Sequence, residues 1–233
     1  MEEFKQQLDK IGLKFDNRAI SQIWKFKEIV LEKNKVLNLT GITEEKDFIL
    51  KHLIDSLSVL NFIPDKSKDV IDIGTGAGFP GVPIKIAEPR LNITLLDSSK
   101  KKVKFLDETI KTLDLENIKA ISERAEDLAQ DKNYRERFDV AISRAVALLP
   151  TLVEYSLPFV KVGGIFIAQK SQNEEELRSA ETAIKVLGGK IREVIPVKIG
   201  DLSDRSLIII EKISKTPSEF PRKPGTASKE PII

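Results

Sequence analysis

Cysteine is absent from this 233-residue sequence, and histidine, tryptophan and methionine each occur once. Without cysteine there is no disulfide framework, no thiolate metal site and no cysteine nucleophile. The single histidine, His52, lacks the partners a metal centre needs, so no metal is expected. No apolar run approaches the length required to cross a bilayer, and Met1-Glu2-Glu3-Phe4-Lys5 is too acidic and polar for a secretory h-region. These absences predict a cytoplasmic protein with no membrane partner. A strong charge of one sign is lacking too. The formal net charge of +2 is too small to imply nucleic acid by itself, so any basic surface must be local. What remains is ordinary globular composition, 41% hydrophobic and 32% charged, with length for one good core plus an extension.

The segment Val70 to Pro83 carries the most information. An apolar strand, Val70 to Ile73, bears an acid at Asp72 and runs straight into Gly74, Gly76 and Gly78. Glycine lets the backbone turn with φ > 0 and approach a ligand closely. A strand that ends in such a turn is how nucleotide-type cofactors are held over the carboxyl edge of a parallel sheet. Two templates fit. Gly76-Ala77-Gly78-Phe79-Pro80-Gly81 matches the G-x-G-x-x-G fingerprint of dinucleotide-binding enzymes. Asp72-Ile73-Gly74-Thr75-Gly76-Ala77-Gly78 matches the acidic-x-G-x-G-x-G signature of S-adenosylmethionine-dependent methyltransferases. The second leaves no spare residue between strand and first glycine, and it gives Asp72 a role, pairing with the amino group of a methionine moiety. Under the first, Pro80 stands in the turn that should donate amides to a pyrophosphate, and proline has no N–H. A loop that merely closes a βα turn is the plain alternative.

Residues 1–65 read as a helical extension. Ile20, Ile23, Trp24, Val30 and Leu31 form an apolar stripe after a cap at Asp16 or Asn17; Asn38 to Gly41 breaks it, and Thr43 to Leu60 resumes it until Pro64. From Asp69 strands and helices alternate, which predicts a mostly parallel sheet. The strands fall near Val70–Ile73, Asn92–Leu96, Ile118–Ser122, Phe138–Ser143 and, introduced by Gly163-Gly164, Ile165–Ala168. A helix over 173–187 ends at Gly188-Gly189, a C-cap signal. Two last strands, near Ile191–Ile199 and Leu207–Ile213, are joined by Gly200 to Arg205, too short for a parallel crossover. They must form an antiparallel hairpin. A seven-stranded, mostly parallel sheet finished by such a hairpin is the α/β architecture of Rossmann-like class I methyltransferases. Residues 66–214 would be that domain and 215–233 a basic, proline-rich tail.

Asp97 ends the second strand about 20 residues past the glycines, where an acid can accept both ribose hydroxyls. It can also cap the helix that starts at Ser98-Ser99-Lys100. Glu126, just after the third strand, lies where adenine is usually read, and equally where a first-turn helix acid would sit. Lys100, Lys101, Lys102 and Lys104 read as a solvated face, and His52 as a capping or core-edge residue.

The loop after the fourth strand reads Ile142-Ser143-Arg144-Ala145-Val146. It lacks the Asp/Asn-Pro-Pro-aromatic motif that grips an exocyclic amino group, and the absence of cysteine excludes covalent activation of a pyrimidine at C5. What survives is an atom with a usable lone pair, such as guanine N7. It has no proton to remove, so catalysis reduces to in-line positioning.

Asn38-Leu39-Thr40, His52-x-x-Asp55-Ser56-Leu57, Asp72 to Gly81, Leu95-Leu96-Asp97-Ser98, Ser143 to Val146 and Pro221-Arg222-Lys223-x-Gly225 occur in that order across the chain. This set resembles the glucose-inhibited division protein B family, the bacterial small-subunit ribosomal RNA guanine-N7 methyltransferases. The resemblance implies S-adenosyl-L-methionine as cofactor, with contacts at Gly74, Phe79, Ala125-Glu126 and Arg144. It makes small-subunit (16S) ribosomal RNA, free or in a 30S particle or its precursor, the substrate. Arg144 is the candidate positioning residue at cofactor or RNA phosphate, with an ion pair in the sheet rim as its alternative. Arg205, Arg222 and Lys223 are candidate phosphate contacts. A monomer is expected. The tail departs from the family pattern at Phe220 and at Thr226-Ala227-Ser228. A dinucleotide-dependent oxidoreductase and a non-catalytic binding relic of the fold remain as alternatives.

Overall fold

In a computed structural model of the chain, residues 2–65, 68–200 and 202–233 are described, residues 202–204 by their backbone alone. Among these residues the apolar runs become seven strands: β1 (Asp69–Ile73), β2 (Asn92–Asp97), β3 (Ile118–Ser122), β4 (Phe138–Arg144), β5 (Val160–Ser171), β6 (Gly189–Ile199) and β7 (Leu202–Lys212). They form one sheet in the order β3-β2-β1-β4-β5-β7-β6. From β3 to β5 the strands are parallel, while β7 is antiparallel to both β5 and β6. The expected class, strand number and C-terminal hairpin are all present. Chain order reverses between β1 and β4, the switch point outside whose carboxyl ends open α/β sheets bind ligands.

Successive side chains of a strand point to opposite faces, and each face has its own apolar core. Val70 packs with the extension, with Leu95 and with Ile142, whereas Ile71 and Ile73 pack with Leu152, Val153 and Phe159 on the other side. In the extension, the Asp16 side chain accepts the Ala19 N–H at 2.7 Å and caps the helix Asn17–Leu37. That helix buries Ile20, Ile23, Phe26 and Val30 and stops at Asn38, which is left-handed (φ 48°). After Glu45–Phe48 the next helical stretch widens into a π-helix, Ile49–Ile54, and returns to α at Asp55–Leu57. The helix Glu2–Lys10, not separately predicted, adds Phe4 and Leu8 to the same core.

Three expectations are refined. Strand β5 starts at Val160 and passes through Gly163 and Gly164, because pairing jumps from Phe138↔Val160 to Val140↔Ile165. The glycines sit in a bulge, not ahead of the strand. A Cβ on Gly164 would come within 2.6 Å of the Asp139 carbonyl. The helix over 173–187 is two short ones, Glu174–Ser179 and Glu181–Val186. Of the predicted hairpin connection Gly200 to Arg205, Asp201 lies outside the described residues and Arg205 is already in β7. Among the described residues no helix is long and apolar enough to cross a membrane, and no group of acids and histidine could hold a metal.

Phe26 is fully buried and its ring lies 5.1 Å from that of Phe79, so the extension and the glycine loop share one core. Phe26→Ala is therefore expected to cost about 3–5 kcal/mol in urea unfolding. A loss under about 1 kcal/mol would mean that the extension is not part of that core.

Candidate active site at the end of β1

Strand β1 delivers the chain into a loop pinned at both ends. The Gly74 and Thr75 N–H groups both donate to the Leu96 carbonyl at the end of β2, at 2.8 and 3.0 Å. Asp72 is only 1% exposed, and its Oδ2 accepts the Thr75 hydroxyl (2.6 Å) and the Gly81 N–H (2.8 Å). Its Oδ1 is buried with no partner. Burial pushes the Asp72 pKa up to about 6, against the Thr75 and Gly81 donors and the Arg144 charge, with the Asp97 charge adding to the rise. Gly76, at φ +61°, donates its N–H to Asp97 Oδ2 (3.0 Å), and a Cβ there would meet nothing closer than 4.0 Å. The turn requires glycine for its backbone angle, and the loop's face at Gly76 is open. Gly74 differs, since a Cβ there would lie 2.3 Å from Val146 in the loop after β4. Gly78 packs against Val82 and Leu106.

Asp97 holds two backbone N–H groups through its two oxygens. Beside Gly76, it accepts the Ser99 N–H through Oδ1 (2.9 Å) at the entry to the helix Lys100–Thr112. A cavity of about 230 Å³ opens next to it, lined by Gly74, Asp97, Ala125, Glu126, Val146 and Tyr155 among others. Larger hollows of about 520 and 790 Å³ lie at the amino edge of the sheet, around Asn92 and the starts of β1 and β4. No glycine loop reaches those, and the carboxyl edge is where such sheets bind ligands. Glu126 is buried, and its Oε1 accepts Arg124 Nη2 and the Gly225 N–H, each at 2.9 Å. Burial opposes its ionisation, yet Arg124 and the Gly225 N–H outweigh that and hold its carboxyl below the ordinary value.

Arg144, at the end of β4, lies in a second cluster, between sheet and extension. Its Nη1 donates to the Lys51 carbonyl (2.9 Å) and Asp55 Oδ2 (3.0 Å), and its Nη2 to His52 Nδ1 (3.0 Å). Arginine can only donate, so Nδ1 must be the bare nitrogen, and the His52 proton sits on Nε2, 2.7 Å from the Thr40 hydroxyl. The His52 ring stacks on Phe79 at 4.5 Å and 10°. Burial first, then the charges of Arg144 and Arg205, lower the His52 pKa to about 3. The Phe79 ring is thus buried in the extension's core, and only its backbone belongs to the loop. His52 and Asp55, one turn apart, were legible as a motif; their partner was not.

The candidate phosphate contacts separate. Arg144 pairs with Gln169, Gln169 with Leu207, and Ser171 with Arg205, so Arg144 and Arg205 share the sheet face that the extension covers. Lys223 is exposed. Arg222 spends its guanidinium on Glu154, with Nη2 to Oε2 at 2.7 Å. Ala145, between Arg144 and Val146, holds a left-handed backbone (φ 55°), a conformation that costs a non-glycine residue about 1–2 kcal/mol.

A neutral buried His52 carries a pH signature. Its pKa is lower folded than unfolded, so its stabilising contribution is complete above about pH 6.5 and is lost as pH falls towards 3. Between pH 7 and 5 the wild type should lose about 2 kcal/mol more than His52→Gln in urea unfolding. Other titrations, including the opposite one of Asp72, cancel in that comparison. Equal losses would mean that His52 is protonated in the folded state.

The chain also resembles known proteins along most of its length. A family model described as rRNA small subunit methyltransferase G matches residues 19–208. The Ribosomal RNA small subunit methyltransferase G of Alkaliphilus oremlandii is 50% identical over 227 residues, covering 95% of this chain and 94% of that protein. That of Alkaliphilus metalliredigens is 47% identical over 233 residues, 98% of this chain and 97% of the other. Among solved structures, a SAM dependent methyltransferase from Aquifex aeolicus superposes with a TM-score of 0.53 at 16% identity, over 77% of this chain and 97% of that one. A ribosomal protein L11 methylase from Lactobacillus delbrueckii subsp. bulgaricus gives 0.54 at 15%, over 70% and 80%. These two likenesses concern the fold. With a family model spanning most of its length and relatives about half identical from end to end, the chain belongs to the rRNA small subunit methyltransferase G family.

Proposed function

We propose that this protein transfers a methyl group from S-adenosyl-L-methionine to guanine N7 of 16S, small-subunit, ribosomal RNA. The observation that carries the reading is the glycine loop: pinned by Asp72 and Asp97 at the switch point, it opens beside the cavity of a chain in this family. The residues present fit the cofactor. Asp72 keeps one buried oxygen free, Gly76 presents an open backbone face, and Asp97 and Glu126 put carboxylates at the cavity wall beside Ala125. When bound, S-adenosylmethionine supplies an electrophilic methyl group on a sulfonium. The free oxygen of Asp72 suits its ammonium, Asp97 its hydroxyls, and Glu126 with the Ala125 backbone its amino-bearing base.

Guanine N7 needs no general base, and the site has none to spare. His52 is uncharged, with one ring nitrogen bonded to Arg144 and the other to Thr40. Positioning must carry the rate. Arg144 forms an ion pair with Asp55, its alternative reading; fixed also by Lys51 and His52 at the end of β4, it is the proposed positioning residue at cofactor or RNA. Lys223, which is exposed, and Arg205 are the proposed phosphate contacts, while Arg222 is committed elsewhere. The substrate is small-subunit RNA or a 30S particle or its precursor, met in the cytoplasm by a monomer.

Labelled-methyl transfer to small-subunit RNA, with the modified position mapped, tests the activity. Arg144→Lys is the informative variant, because Arg144→Ala would strand the buried Asp55 charge and cost about 3–5 kcal/mol of stability. Lysine keeps the charge but cannot fork, and transfer should fall about a hundredfold with the fold intact. Unchanged transfer removes Arg144 from the mechanism, and binding of NAD(H) without S-adenosylmethionine in calorimetry would replace methyl transfer by hydride chemistry.

Asp72 gives a pH test. Its folded pKa of about 6 means that the carboxylate an ammonium needs is lost as pH falls below 6. Cofactor affinity should therefore weaken about tenfold per pH unit below 6. Asp72→Asn should bind weakly at every pH. A flat profile in the wild type would take Asp72 out of cofactor binding.

A further inference from the structure

Beyond β7 the chain has little regular structure, one short helix at Thr226–Lys229, yet it is fastened along its length. The Arg135 guanidinium donates to the carbonyls of Thr216 (2.9 Å), Pro217 (3.0 Å) and Phe220 (2.7 Å). Gln130 Nε2 donates to the Pro221 carbonyl at 2.9 Å. The Arg222 backbone N–H (2.8 Å) and its Nε (3.0 Å) both reach Glu154 Oε1, while Nη2 reaches Oε2 (2.7 Å). The Glu154 side chain is 1% exposed and faces that fork. Thr151 donates its hydroxyl to the Ala227 carbonyl at 2.9 Å.

These anchors converge on one wall. Thr151, Glu154 and Tyr155 belong to a single helix, Leu149–Ser156, and Tyr155 lines the cavity beside the glycine loop. Glu126, on the same wall, receives the Gly225 N–H on the oxygen that also takes Arg124. The tail therefore braces Glu126 on the cavity wall and the helix that carries Tyr155. It does not offer Arg222 to solvent as a free cation.

We propose that residues 216–230 form a strap that completes the cofactor pocket, with Arg222 a positioning residue that acts through Glu154, and Gly225 one that acts through Glu126. The inference rests on the reading of that cavity as the S-adenosylmethionine site. A wall ordered in advance spares the ligand the cost of ordering it, which raises affinity with no direct contact. By linkage, a ligand that favours the braced wall must also hold the strap down.

Calorimetry with S-adenosylhomocysteine on the full chain tests this, alongside filter binding of small-subunit RNA and amide exchange across 216–229. Arg222→Ala should weaken S-adenosylhomocysteine about tenfold, the loss of a charged fork, and leave RNA affinity within about twofold. Arg222→Lys should lose less, and Lys215→Ala, which removes an exposed tail charge of the same sign, should lose nothing. In the wild type the ligand should slow exchange at Gly225 and its neighbours; this readout decides the matter if Arg222→Ala fails to fold. Cofactor affinity unchanged in Arg222→Ala, a loss confined to RNA, or tail exchange indifferent to ligand would overturn the strap. Failure of the wild type to bind S-adenosylhomocysteine at all would overturn the cofactor reading and the strap with it.

Discussion

One buried carboxylate holds the working end of this molecule together. Asp72 sits at the end of β1 with a single oxygen joining Thr75 at the start of the glycine loop to Gly81 at the start of the helix beyond it. An ionised carboxylate so deeply buried is costly, and its raised pKa registers that cost. The cost is tolerated because two donors converge on one oxygen. With the loop closed in this way, Gly76 comes within reach of Asp97, and Gly74 beds against Val146. The ends of β1, β2 and β4 are thereby locked into one surface.

The extension acts on that surface from the other side. Its π-helical turn brings the Lys51 carbonyl, the His52 ring and, just beyond, the Asp55 carboxylate onto Arg144, while His52 lies flat on Phe79. The Arg144 side chain at the end of β4 and the Phe79 ring, whose backbone belongs to the glycine loop, are thus oriented by residues before the first strand. Burial and two nearby arginines keep His52 neutral, and only a neutral imidazole can accept from Arg144 while donating to Thr40. The choice of protonation state is part of the packing.

Legibility in the sequence followed the range of the interaction. The Asp72-to-Gly81 segment could be read because strand, acid and glycines are contiguous. The mostly parallel sheet could be read because strands and helices alternate along the chain. The hairpin was forced to be antiparallel by a connection too short for a crossover. Gly163-Gly164 misled because a bulge inside a strand and a turn before one use the same residue. Arg222 looked like a free cation on a solvated tail, because nothing near it in sequence marks Glu154, 68 positions earlier, as its partner.

By itself the sequence determined the α/β class, the glycine turn with its acid, and the absence of any thiol chemistry, since these depend on composition or on neighbours within one element. Only the tertiary structure decided which charges meet. Arg144 joins His52 and Asp55 some ninety positions away, and Glu126 takes the Gly225 N–H across 99. Residue spacing along a helix or strand reports contacts within that element alone. The pairing of distant charges depends on which loops the strand order β3-β2-β1-β4-β5-β7-β6 carries to the same edge of the sheet.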